Sequence, residues 1–159
     1  MKRIILYVYQ SIDGCSVPAD KAFDSAVDTS SCLLIDEETY LRIYSNHFGW
    51  PITGKSTFVV TKGGMCIVEN SETPLVTGDA LGKLRAMVAT GEGEIIVYGE
   101  EVGKFLLDND LVDEMIVTTL PKLVGGGEKA LSCGLNRGKS WNVKSEMLEE
   151  GKIRTVFSK

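Results

Sequence analysis

Residues 4–10 (IILYVYQ) form an unbroken β-branched and aromatic run, the pattern of a strand covered on both faces of a sheet. Comparable runs recur at 32–35, 57–61, 95–98 and 111–120, and each predicts a further strand. Between them the apolar period lengthens. Tyr40, Leu41 and Tyr44 recur at helical spacing, as do Leu81, Leu84 and Val88 within 79–89, and Val102, Phe105 and Leu106 after Gly99. A short, weakly amphipathic helix with Phe23 and Val27 inward is predicted over 18–28, and 65–69 reads as an additional strand. Residues 71–77 read as loop.

The stretch 94–127 organises this pattern. Its strand ends at Gly99, a helix follows, Asp108-Asn109-Asp110 stops that helix, and another strand returns, which makes one α/β unit. Past Gly127 the pattern changes: 141–147 and 153–157 alternate apolar and polar positions around Glu149-Glu150-Gly151, predicting a terminal β-hairpin. Parallel units followed by a hairpin imply an α/β protein, with helices flanking a mixed, mainly parallel central sheet in three αβα layers.

Composition narrows this picture more than it extends it. A chain of 159 residues with 43% hydrophobic content is read as a single domain over 1–159. Acidic residues outnumber basic ones by 22 to 17 and no basic run occurs, so neither nucleic acid nor an anionic membrane is expected as a partner. No apolar run approaches the ~20 residues of a membrane span, and Met1-Lys2-Arg3 leads straight into a strand, so a cytoplasmic location is expected. Cys15, Cys32, Cys66 and Cys133 form no C-x-x-C pair and His47 stands alone; reduced structural thiols and no metal site follow.

Candidate chemistry sits where predicted strands end. Ser11-Ile12-Asp13-Gly14 follows the first strand, and its Asp is either a turn former or a carboxylate facing a ligand. Asp36-Glu37-Glu38 precedes a helix, where negative charge complements the macrodipole but would repel a phosphate. Lys62 follows Thr61 at the end of the third strand, as a solvated turn residue or a phosphate contact. Gly99, between a strand and a helix N-terminus, should border any site, because backbone N–H groups and the helix dipole can receive phosphate there.

Taken together, Ser11-Ile12-Asp13-Gly14, residues 33–40 ending in Thr39-Tyr40, Val59-Val60-Thr61, Leu111-Val112-Asp113-Glu114, and Pro121 with Gly125-Gly126-Gly127 resemble the dihydrofolate reductase-like fold. The chain is most similar to the C-terminal reductase domain of the bacterial bifunctional deaminase-reductases of riboflavin biosynthesis. That resemblance implies a cytoplasmic, homodimeric, NADPH-dependent reductase of a pyrimidine or pterin-like small molecule, with 5-amino-6-(5-phosphoribosylamino)uracil as the best-known kind of substrate. Hydride would pass directly from the nicotinamide, and the protein would supply alignment and electrostatics. By the same resemblance Asp13 would contact substrate and orient a proton, supported by Ser11. Thr39, Thr61, Lys62, Gly99, Glu100, Glu101 and Val102 would surround the dinucleotide, and Thr118 or Thr119 would face the substrate pocket.

The chain departs from the family pattern at two places, both in the expected cofactor seat. Asp36-Glu37-Glu38 stands where the family carries Gly-Arg before Thr-Tyr, and Glu100-Glu101 follows Gly99 where a second glycine is usual. Loss of the arginine makes NADH an option beside NADPH, while the acids Asp36, Glu37 and Glu100 oppose either dinucleotide. Two further readings therefore stand beside the reductase. One is a catalytically degenerate relative that binds a nucleotide, pterin or other small ligand; the other is an interaction protein paired through a sheet edge or its helix faces.

Overall fold

β1 (Arg3–Gln10) lies in the interior of the sheet, and its composition explains why. Ile4, Leu6 and Val8 enter one apolar layer, whereas Ile5, Tyr7 and Tyr9 enter the other. The computed structural model describes residues 1–18, 32–47, 56–61, 64–68, 75–76, 80–132 and 140–159. In chain order β1 is followed by β2 (Cys32–Asp36), α1 (Glu37–His47), β3 (Ser56–Thr61), β4 (Gly64–Val68), β5 (Leu75–Val76) and α2 (Ala80–Ala89). Then come β6 (Glu94–Tyr98), α3 (Glu100–Asp108), β7 (Glu114–Thr119), β8 (Asn142–Met147), a 3-10 turn (Glu149–Gly151) and β9 (Ile153–Ser158).

The strands form one sheet in the order β5-β4-β3-β2-β6-β1-β7-β9-β8. From β3 to β7 every pairing is parallel, and the pairings on both flanks are antiparallel. Leu84, Met87 and Val88 of α2 and Val102 and Leu106 of α3 cover one face. Tyr40 and Tyr44 of α1 cover the other. This is the expected three-layer α/β arrangement with a mixed sheet and a C-terminal hairpin. All five tyrosines of the chain, Tyr7, Tyr9, Tyr40, Tyr44 and Tyr98, belong to the α1 layer.

Details depart from the sequence pattern where tertiary packing decides. Leu41 is exposed, because Tyr40 and Tyr44 already span the inward stripe of α1. In α2 the buried stripe runs through Ala80, Leu84, Met87 and Val88 rather than Leu81. The strand expected over 111–120 begins at Glu114, since Asp113 is spent on pinning β1: its carboxylate accepts the Ile4 N–H at 2.8 Å, and its own N–H donates to the Ile4 carbonyl at 3.0 Å. Within 71–77 a two-residue strand, β5, forms. The helix expected over 18–28, Lys62, Cys133 and Trp50-Pro51 fall outside the described residues, apart from Pro18.

α3 ends as its sequence requires. Asn109 Nδ2 donates to the Phe105 carbonyl at 2.8 Å, and Asp110 takes a left-handed conformation (φ 56°). The helix also lies close to the sheet, because Gly103 faces Leu6; a Cβ there would come within 3.3 Å of Leu6 Cδ1. Among the described residues no helix is long and apolar enough to cross a membrane.

Candidate functional site at the carboxyl edge of the sheet

Parallel register aligns the carboxyl ends of β3, β2, β6, β1 and β7, so Thr61, Asp36, Gly99, Ser11 and Thr119 lie along one edge. Open α/β sheets bind ligands at this edge. Here its centre is taken by the chain itself. Asp36, the last residue of β2, is buried and serves two helices at once. Its Oδ1 accepts the Thr39 N–H at 2.8 Å, capping α1, while its Oδ2 accepts the N–H groups of Glu101 and Val102 at 3.1 and 3.3 Å, capping α3. The three acids do stand at a helix start, as the sequence pattern predicts; Glu37 and Glu38 are exposed, whereas Asp36 is buried between two positive helix ends.

Gly99 is what allows this arrangement. Its φ of 133° is in the region open to glycine, and a Cβ there would fall 2.3 Å from Asp36 Oδ2 and 2.9 Å from Thr39 Oγ1. Thr39 is 1% exposed, and its hydroxyl has no hydrogen-bond partner among the described residues. On the neighbouring side, Glu100 accepts a hydrogen bond from the Ser16 hydroxyl, joining the N-terminus of α3 to the loop after β1. The cleft bordered by Tyr9, Ser16, Tyr98, Gly99 and Glu100 has room for roughly one water molecule. Around this mouth the acids repel one another: Glu128 foremost, then burial, Glu100 and Asp36, push the Glu38 carboxyl above its usual range.

Ser11 and Asp13 form a second constellation, which tethers a loop. Ser11 is fully buried, its hydroxyl donates to Asp13 and accepts the Cys15 N–H at 3.1 Å. Asp13 is exposed, and its carboxylate accepts the N–H groups of Val124 and Gly125 at 3.2 and 2.8 Å. The Ser11 hydroxyl and these two amides hold its carboxyl well below the usual carboxylate range. This is the opposite direction from a desolvated carboxyl that keeps a proton near neutrality. The tether therefore contributes stability above a carboxylate pKa of about 3.9 and loses it as the pH falls below that value. Asp13→Asn should speed amide exchange at Val124 and Gly125 at neutral pH; unchanged exchange there would mean that the loop is held by other contacts.

Thr118 and Thr119 emerge on opposite faces of β7. Thr118 is buried, and Thr119 Oγ1 accepts from Gln10 Nε2 at 3.1 Å. Neither borders the cleft beside Gly99; of the expected residues, Gly99 and Glu100 do, with Thr39 behind Gly99. Thr61 lies two strands away from Gly99, and Lys62 lies outside the described residues. The double role of Asp36 and the Glu100–Ser16 bridge were not foreseen. Asp36 three residues before Thr39 does carry an N-cap signal for α1, whereas its reach to α3 depends on β2 lying beside β6. Among the described residues no group of His, Cys, Asp and Glu is placed to hold a metal ion.

Sheet order, the three layers and a site edge at Gly99 define a dihydrofolate reductase-like fold. The chain is similar in structure to a protein assigned to riboflavin biosynthesis from Shewanella sp. PV-4, at a TM-score of 0.76 and 24% identity, covering 98% of both chains. It also matches Enterococcus faecalis dihydrofolate reductase, solved with NADP(H), at a TM-score of 0.67 and 12% identity over 98% of this chain and 95% of that one. A third likeness is to the diaminohydroxyphosphoribosylaminopyrimidine deaminase/5-amino-6-(5-phosphoribosylamino)uracil reductase of Thermotoga maritima. There the TM-score is 0.63 and the identity 15%, over 99% of this chain and 56% of that longer one. No protein-family model and no curated protein sequence matches the chain.

Proposed function

We propose that this protein is a relative of the reductases that has given up the pyridine dinucleotide and takes a small, non-anionic ring compound on the open rim of the carboxyl edge of its sheet, outside the cleft beside Gly99, which has room for about one water molecule. The observation that carries this reading is the Asp36 carboxylate seated on the N–H groups of Thr39, Glu101 and Val102. A pyrophosphate needs donors of this kind at a helix N-terminus. In this chain those donors already hold an anion, and a second one at ~4 Å would be opposed by roughly 4 kcal/mol even at an effective dielectric of 20. Glu100, bonded to Ser16, adds another carboxylate at the same mouth. NADPH and NADH do not fit this seat.

Binding of an uncharged or cationic ring is supported by what remains at the edge. Tyr98, half-buried at the border of the cleft, is the aromatic side chain that a ring can reach there; Tyr9, against which it stands edge to face with ring centroids 6.2 Å apart, is buried behind it. Titration calorimetry of the protein with NADPH and with NADH should give no binding heat, and a panel of pterins and pyrimidine nucleosides should raise the thermal midpoint for at least one member. Steady oxidation of either nicotinamide with any such compound would overturn the reading and restore the reductase.

A further inference from the structure

Residues 122–130 run beside the loop that leaves β1, and main-chain bonds fix both ends of the segment. At the near end the Ile12 N–H donates to the Lys122 carbonyl at 2.9 Å. At the far end the Ser16 N–H donates to the Glu128 carbonyl at 2.8 Å, and the Ala130 N–H to the Gly14 carbonyl at 2.9 Å. Between these anchors residues 123–127 are all exposed, Leu123 at 72% and Val124 at 44%. Among the described residues their hydrogen bonds go to Asp13 alone, from the N–H groups of Val124 and Gly125. Asp13 is a firm post, because the Ser11 hydroxyl at the end of β1 holds its carboxylate. Its two bonds to the segment lie in solvent, where water competes for each partner, so they close it by a small margin. Little buried apolar surface adds to that margin. Gly127 lies against Cys15: a Cβ there would stand 3.7 Å from Cys15 Cβ and 3.9 Å from its Sγ. Cys15 itself is buried.

We infer that residues 123–127 are a strap that swings out between its anchors at Lys122 and Glu128 when the Asp13 latch lets go, uncovering the turn 11–15 and the Cys15 thiol. Three successive glycines, Gly125, Gly126 and Gly127, supply the backbone freedom for the movement. Gly125 also sets the closed shape: its φ is 84°, and nothing lies within 4 Å of where its Cβ would be. Gly126 has the same open surroundings without a positive φ. Release is local. Cys15 is uncovered by it, whereas Cys32, in the core on β2, is uncovered only when the sheet itself opens. The turn under the strap leads directly to Ser16, which bonds Glu100 at the cleft, so an open strap adds room to the rim where the ring compound is placed. The motion itself does not depend on that compound.

Labelling of the native chain with iodoacetamide, followed by peptide mapping, reads each cysteine separately and needs no ligand. At neutral pH Cys15 should react at least about tenfold faster than Cys32, which reports opening of the whole sheet. Asp13→Ala removes the latch and should speed labelling of Cys15 by about tenfold while leaving Cys32 unchanged. Gly125→Ala touches no neighbour and disfavours only the closed backbone, so it should speed Cys15 by a similar factor, whereas Gly126→Ala should not. Cys15 reacting no faster than Cys32 in the unmodified chain would overturn the strap. So would a Cys15 rate indifferent to both Asp13→Ala and Gly125→Ala. Equal acceleration of Cys15 and Cys32 would overturn it as well, since the substitutions would then act by unfolding the sheet.

Discussion

Asp36→Ala should lower the unfolding free energy by roughly 2–4 kcal/mol, because one truncation removes two helix caps of about 1–2 kcal/mol each. The substitution leaves the N–H groups of Thr39, Glu101 and Val102 without their acceptor at the centre of the carboxyl edge. Denaturant unfolding would read the loss directly. A second readout separates capping from packing: sulfate or phosphate should raise the thermal midpoint of Asp36→Ala and leave that of the unmodified chain nearly unchanged, since only the variant has donors free to take an anion. Asp36→Asn should fall between, keeping one oxygen for the two caps. An Asp36→Ala variant with unaltered unfolding and no response to anions would show that these N–H groups do not depend on the carboxylate, and would remove the main support for the proposed function.

Gly99→Ala should be the more disruptive change at the same place, at about 3 kcal/mol or more. Two causes add: a φ of 133° that a Cβ disfavours by about 1–3 kcal/mol, and a Cβ driven to 2.3 Å from Asp36 Oδ2 and 2.7 Å from its Cγ. Those two causes can be divided. In the double variant Asp36→Gly/Gly99→Ala the steric part disappears while the backbone part stays, so the combined loss should be smaller than the sum of the single losses by about 1–3 kcal/mol. Additive losses would mean that the clash is relieved by a shift of the backbone instead.

Much of the fold was legible because its strands are unambiguous. A run such as residues 4–10 has no polar side to offer solvent, and Gly99 with Asp108-Asn109-Asp110 brackets α3 by local rules alone. Leu41 and Leu81 were misplaced because periodicity gives a stripe without saying which neighbouring residue fills it first. At the site, the position of Gly99 could be read from the sequence, but the use made of it could not. Asp36 and Gly99 are far apart in the chain, and their meeting is decided by β2 pairing with β6 through Ile35 and Tyr98. The resemblance pointed to the acids that replace the family's glycine and arginine. It took the geometry to show that Asp36 is turned inward as a structural anion, whereas Glu37 remains at the surface. Asp13 differs again: its two amide partners, at Val124 and Gly125, lie more than a hundred residues away, and no local rule assigns them.

Because all five tyrosines share the α1 layer, phenol signals in this protein come from one side of the molecule. Trp141 packs on the opposite layer, against the cluster under α2 and α3. Near-ultraviolet dichroism of the tyrosines, read beside the emission of a Trp141 reporter in a chain whose other tryptophan is replaced, would thus distinguish events on the two sides without any added label.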